Sequence, residues 1–170
     1  MKALRMLTAI FLLGVITFCA CTAKTPVGNP FSVFSGGFSA GGTLVFNGVT
    51  SNIDFSYTTD EIKITFSSPK TLEGYVLSGK NGEYTLSYDG ISVPIGAEVA
   101  RIPAMLTQIF SAKNEDISSI KATEKDGKTL TEISAGRVIY AFSSDGIPVS
   151  VNGTVFGGIF SLELTGFKKA

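Results

Sequence analysis

Apolar side chains in this sequence recur at every second position, in short runs separated by Asn-Gly or Asp-Gly pairs, and that pattern restricts the chain to an antiparallel sheet. Leu44 and Phe46 alternate with Thr43, Val45 and Asn47. Ile53, Phe55 and Tyr57 alternate with Asp54 and Ser56, and Ile62, Ile64 and Phe66 with Lys63 and Thr65. Tyr84, Leu86 and Tyr88 alternate with Thr85 and Ser87, and Ile91 and Val93 follow the Asp89-Gly90 pair. In the second half, Thr129 to Ile133, Val138 to Phe142, Ile147 to Val151 and Phe160 to Leu164 read the same way. Successive strand side chains point to opposite faces, so each run is a strand with one face buried. The pairs Asn47-Gly48, Asn81-Gly82, Asp126-Gly127 and Asp145-Gly146 supply the positive φ angles of tight hairpins. Strands and turns spaced at roughly ten residues make an antiparallel meander.

One segment departs from this period. Between Glu98 and Lys113, apolar residues fall at Val99, Ile102, Met105, Leu106, Ile109 and Phe110, the spacing of a helix with one apolar stripe. Pro103 marks its first turn, where the missing N–H breaks no bond. Asn114 to Ser119 adds a second short helical turn. The stripe must be buried, and the concave side of a curved sheet is the apolar surface available to it. The expected fold class is therefore mainly β with one or two helices. A curved antiparallel sheet forms an incomplete β-barrel, with a helix packed in or over its concave side.

The first residues carry a different signal. Lys2 and Arg5 precede an apolar run from Met6 to Phe18, followed by Cys19-Ala20-Cys21. Cations ahead of a short apolar run and a small residue at the cut site are export-signal chemistry. The run is shorter than the roughly 20 residues a permanent span requires, and Thr22 to Asn29 continues it with polar and turn-forming residues. The stretch Phe18-Cys19-Ala20-Cys21 resembles the lipobox of bacterial lipoproteins, with Ala20 before the cut. That resemblance implies lipidation of Cys21, including palmitate-type acylation. It also implies anchoring to the outer face of the cell membrane or to the outer membrane. Cys19 is the competing position, but a cut there places bulky Phe18 where a small side chain is needed. The organisation that follows is a lipoprotein signal peptide over 1–20, a lipidated tether over 21–31 with Pro26, Gly28 and Pro30, and a single domain over 32–170.

Of 170 residues, cutting after Ala20 leaves 150, enough for one domain with a core. Losing Lys2 and Arg5 takes the 14 basic residues to 12 against 14 acidic ones, a net charge near −2. With no basic stripe to neutralise phosphates, nucleic acid is not an expected partner. Histidine is absent, which excludes Ser-His-Asp and Cys-His catalysis and histidine metal sites. Gly36-Gly37 and Gly41-Gly42 lack the Lys-Ser/Thr of a phosphate loop. Glu115-Asp116 and Glu124-Lys125-Asp126 lack the ligand spacing of a calcium loop and read as charged turns. The carboxylates of Asp54, Glu61, Glu73, Glu83, Glu132 and Glu163 have the spacing of a solvated face. The expectation is a non-enzyme with no catalytic residues, no metal and no cofactor. Asn152-Gly153-Thr154 reads as a turn, and Gly157-Gly158 as a bend or bulge before the last strand.

The run Ile64-Thr65-Phe66-Ser67-Ser68-Pro69-Lys70-Thr71-Leu72-Glu73-Gly74, leading into Gly82-Glu83-Tyr84-Thr85-Leu86-Ser87-Tyr88-Asp89-Gly90 and a Pro-containing helix, resembles the LolA/LolB fold family of lipoprotein-sorting proteins. The last strand, Phe160 to Phe167, resembles that family's closing strand. Ile62 to Phe66 lacks the tryptophan usual before the family's proline. The resemblance implies an unclosed barrel with an apolar cavity for acyl chains. The residues that could line it are Phe46, Phe55, Tyr57, Phe66, Tyr84, Leu86, Tyr88, Met105, Ile109, Tyr140, Phe142 and Phe160. The same aromatic set, from a chain with 13 phenylalanines, reads first as a filled core. Two functions stay open: a membrane-anchored protein that binds an acyl chain or other apolar ligand, in lipid or lipoprotein handling, and a packed scaffold lipoprotein with no small-molecule ligand. The oligomeric state is not legible.

Overall fold

The structure is a computed structural model that describes residues 28–170. The leader and Cys21 lie outside the described residues. Eleven strands form one antiparallel sheet in the order β6-β5-β4-β3-β2-β1-β11-β10-β9-β8-β7. They are β1 (Phe38–Phe46), β2 (Val49–Tyr57), β3 (Glu61–Ser68), β4 (Val76–Lys80), β5 (Glu83–Tyr88) and β6 (Ile91–Ile95), then β7 (Ile117–Lys125), β8 (Lys128–Ala135), β9 (Val138–Ser143), β10 (Pro148–Val155) and β11 (Gly158–Lys169). First and last strands pair, Leu44 opposite Leu162 and Phe46 opposite Phe160. The two arms of the sheet therefore spread from a central β1–β11 seam, and β6 and β7 remain as unjoined edges. This is the expected incomplete barrel.

The alternating runs are strands with the predicted inner face. Ile53, Phe55 and Tyr57, like Ile62, Ile64 and Phe66, are buried while their neighbours Asp54, Ser56 and Lys63 are exposed. Asn47, Asn81, Asp89 and Asp126 each hold a positive φ before a positive-φ glycine, as two-residue hairpins demand. Two strands carry no such signature. Strand β4 has Gly79 at an inner position because a Cβ there would press on the Tyr84 ring at 2.8 Å. Strand β7 is an exposed edge with Lys121, Glu124 and Lys125, a composition that blunts edge-to-edge pairing.

The helix α1 spans Arg101–Phe110, shorter than the periodicity of Glu98 to Lys113 implies. Pro103 sits in its first turn as expected, and the Thr107 hydroxyl donates to the Pro103 carbonyl at 2.9 Å. Gly96 to Ala100 closes into turns, with Ala100 donating to the Gly96 carbonyl at 3.1 Å. This leaves Val99 outside the helix and 70% exposed. Met105, Leu106, Ile109 and Phe110 are buried against the concave side, a burial that stabilises by about 1.5–3 kcal/mol per side chain. Asn114–Asp116 is a 3-10 turn, and the strand β7 begins directly after it at Ile117.

Three readings change. The tether does not run to Phe31: Pro30–Phe34 is a 3-10 turn whose Phe31 and Phe34 enter the core, since exposed phenyl rings beside an apolar interior have a place to go. Asn152-Gly153-Thr154 lies inside β10 rather than at a turn. A side chain on Gly153 would overlap the Arg137 carbonyl, so glycine serves strand approach there. Gly157-Gly158 is not a bulge. Phe156 and Gly157 form a two-residue loop, with Val155 paired to Gly158.

Candidate functional site: an apolar cavity under an uncovered sheet arm

The concave interior is divided by where α1 and the N-terminal turn reach. On one side the space is full. Phe34 lies 5.1 Å from Phe110, Phe38 4.9 Å from Phe110, and Phe55 stacks on Phe110 at 5.5 Å, centroid to centroid. Phe31 meets Tyr140 edge-on at 4.8 Å. The Tyr140 hydroxyl donates to the Ile109 carbonyl at 2.8 Å, tying the end of the helix to β9. Burial holds the phenol of Tyr140 well above its ordinary range, and the Asp116 carboxylate adds to the effect. Burial raises that of Tyr57 as well. Of the candidate lining residues, Phe55, Tyr57, Met105, Ile109, Tyr140, Phe142 and Phe160 are buried in this core.

On the other side a cavity of about 430 Å³ remains. Its walls are Leu44, Phe46, Val49, Phe66, Leu72, Tyr75, Leu77, Leu86 and Ile102, with Asn47 and Ser51 as the other members. Phe46, Phe66 and Leu86 are thus the predicted candidates that the structure brings together here. Phe46 reaches its place because Gly158 has no Cβ, which would stand 2.8 Å from the Phe46 ring. Tyr88 stacks on Tyr75 at 4.4 Å and is half exposed. Tyr84 faces a separate small cavity of about 130 Å³ beside Thr107. Sequence reasoning missed Leu77 with the strand that carries it. It also missed Leu72 and Tyr75, which lie in the loop after Pro69, where no period exists to mark them.

The register shows that the cavity does not end at Leu86. Leu77 lies opposite Leu86 and Leu86 opposite Val93, while Tyr88 lies opposite Ile91. These residues share the inner face of the β4–β6 arm, yet Val93 is 46% and Ile91 70% exposed. The cavity therefore continues as an open apolar wall to the β6 edge. Among the described residues, none that lines it is charged.

Two larger hollows have different chemistry. A groove of about 600 Å³ between the end of α1 and the β8–β9 and β10–β11 hairpins is lined by Gln108, Ser111, Asp116, Arg137 and Thr154 as well as Ile109, Tyr140 and Phe156. A depression of about 490 Å³, lined by Ser39, Asp54, Lys63, Thr165 and Lys168 among others, is too open and polar to hold an alkyl chain. Size alone would favour the groove. An alkyl ligand is favoured by apolar area withdrawn from water, and the smaller cavity offers far more of it.

No protein-family model and no curated protein matches this sequence. Among solved structures, an uncharacterized conserved protein from Thermus thermophilus is similar with a TM-score of 0.51 at 10% identity, over 83% of this chain and 83% of that one. A LolA superfamily protein from Nitrosomonas europaea is similar at 0.38 and 9% identity, over 79% of this chain and 86% of that one. The Mycobacterium tuberculosis lipoprotein LppX is similar at 0.42 and 11%, over 78% and 87%. The fold class expected from the sequence, an unclosed antiparallel barrel with a helix on its concave side, is the fold of this chain.

Proposed function

We propose that this chain is a membrane-anchored lipoprotein, not an enzyme, that takes an acyl chain or another apolar ligand into the cavity beneath β4–β6 and serves lipid or lipoprotein handling in the cell envelope. The observation that carries the reading is the cavity itself: about 430 Å³ walled almost wholly by hydrocarbon and continued by exposed Val93 and Ile91. Monomeric proteins seldom expose contiguous apolar surface without a use for it. The non-enzymatic part is supported by the absence of histidine and by a lining that, among the described residues, has no titratable group but the Tyr75 phenol. The anchor rests on Ala20-Cys21 and the apolar run before it. Native mass spectrometry of the gently purified protein, with titration of a fluorescent fatty acid, tests the binding. Co-purified lipid or saturable uptake is expected, and neither being seen would overturn it.

The scaffold reading draws on a specific observation of its own, the full packing around Phe110. It predicts that the β4–β6 wall is covered by a protein. In that case fatty acid would not compete with the partner.

A further inference from the structure

The two ends of the barrel are chemically unlike. At one end the hairpins turn through Asn81-Gly82 between Lys80 and Glu83, and through Asp126-Gly127 between Lys125 and Lys128. The β9–β10 turn there adds Asp145, with Ile147 as its exposed apolar residue. At the other end, beside the exposed Lys70, Glu73, Asp89 and Arg137, the hairpins β1–β2, β5–β6 and β10–β11 present Val49, Tyr88, Ile91, Phe156 and Ile159, all at least 50% exposed.

Phe156 is the outlier among them. Every other non-glycine residue with a positive φ among the described residues is Asn or Asp, the types that tolerate it, whereas Phe156 holds φ 50°. A bulky side chain there costs about 1–2 kcal/mol. The ring it places at the hairpin tip is 61% exposed, so the cost is not recovered by packing within the chain. Strain retained without internal compensation points to use.

The surroundings make the tip rigid. Asn47 donates its backbone N–H to the Ile159 carbonyl at 2.9 Å, and Ile159 donates to the Asn47 side-chain oxygen at 3.1 Å. Thr154 donates to the Arg137 carbonyl at 3.2 Å, tying in the β8–β9 turn. Phe156 and the exposed Arg137 line one groove, while Val49, on the inner face, and Ile159, on the outer face, flank the same rim of the sheet. An apolar knob with a flanking cation matches the boundary between acyl chains and anionic headgroups.

We infer that this end of the barrel, led by Phe156 with Ile159 and Val49, inserts into the surface of a lipid bilayer. One further observation favours lipid over a protein partner. Val49 is also a wall of the apolar cavity, so the inserted end carries the cavity's mouth. The insertion stands or falls apart from whether an acyl chain fills the cavity.

The chain has no tryptophan, so a single introduced one reports on its own site. The full chain carrying Phe156→Trp, or Ile147→Trp at the polar end as its counterpart, is mixed with phosphatidylcholine–phosphatidylglycerol vesicles whose acyl chains are plain or brominated. Ile159→Trp replaces the first variant if Phe156→Trp does not fold by circular dichroism. The emission of the Phe156→Trp variant is expected to shift to the blue. Its quenching should exceed that of the Ile147→Trp variant about threefold or more, as befits a residue buried about 5–10 Å into the boundary. Equal quenching in the two variants, stronger quenching in Ile147→Trp, or quenching in neither overturns the inference. The last of these is also the outcome if a protein covers the knob.

Discussion

Filling the cavity from within separates a ligand site from a packing defect, and Leu86→Trp does so with little disturbance elsewhere. Leu86 is half-buried on β5 and forms part of the cavity wall, so its side chain has open space to grow into. A methylene takes about the 30 Å³ that a water molecule takes in the liquid. A cavity of about 430 Å³ therefore saturates near a dozen methylenes, fewer where the fit is loose. Each buried methylene contributes about 0.8 kcal/mol, close to a fourfold gain in affinity. Across a series of saturated fatty acids measured by displacement of a fluorescent analogue, the wild-type Kd should fall about fourfold per carbon and flatten near twelve carbons. An indole in place of the Leu86 side chain removes the room for about two methylenes, about 1.6 kcal/mol, or roughly 15-fold in the Kd of the longer acids. The plateau should move to shorter chains by the same two carbons. A slope that is unchanged with an unmoved plateau would place the ligand elsewhere and refute the assignment of this cavity.

Three further outcomes follow from named contacts. Tyr140→Phe removes the hydroxyl that bonds the Ile109 carbonyl and should lower stability by about 1 kcal/mol in a urea titration. The phenol's folded-state pKa lies above its ordinary value of 10.0, so wild-type stability is fully present below pH 10 and is lost as pH rises beyond it. The Tyr140→Phe variant should lose much of that alkaline slope, and an identical slope in both would mean another group sets it. At position 156, Gly should be more stable than Ala by about 1 kcal/mol in thermal melts, because only Ala meets the positive-φ penalty. The reverse order would show that the turn is not strained. Cys21→Ser should release the protein from lipid labelling, and continued labelling in that variant would refute Cys21 as the acceptor.

Legibility followed burial contrast. Strand β3 was readable because Ile62, Ile64 and Phe66 are buried and Glu61 and Lys63 are exposed, which is the contrast that a period of two encodes. Strand β7 has exposed side chains on both faces for most of its length, so its composition records an edge rather than an alternation. Strand β4 lost its inner signal to Gly79. The cavity suffered from the same limit in reverse. Phe55 and Phe66 occupy equivalent inner positions, yet Phe55 stacks on Phe110 while Phe66 borders open space. Sequence parity assigns a face, but what stands above that face is decided by the helix.

The length of that helix then explains why a cavity exists at all. Ten residues rise about 15 Å, whereas eleven strands about 4.8 Å apart describe an arc of roughly 50 Å. A helix running from Glu98 to Lys113 would be about 24 Å long and would carry Val99 onto the stripe. The chain instead uses Gly96 to Ala100 for turns, and α1 packs on β3 and β4. Phe31 and Phe34 make up the shortfall on the side of Tyr140 and Phe142. Nothing among the described residues makes it up over Leu86, Val93 and Ile91. The missing helical turn and the uncovered apolar wall are thus one feature. An alkyl chain lying along that wall would complete a core that the polypeptide leaves open.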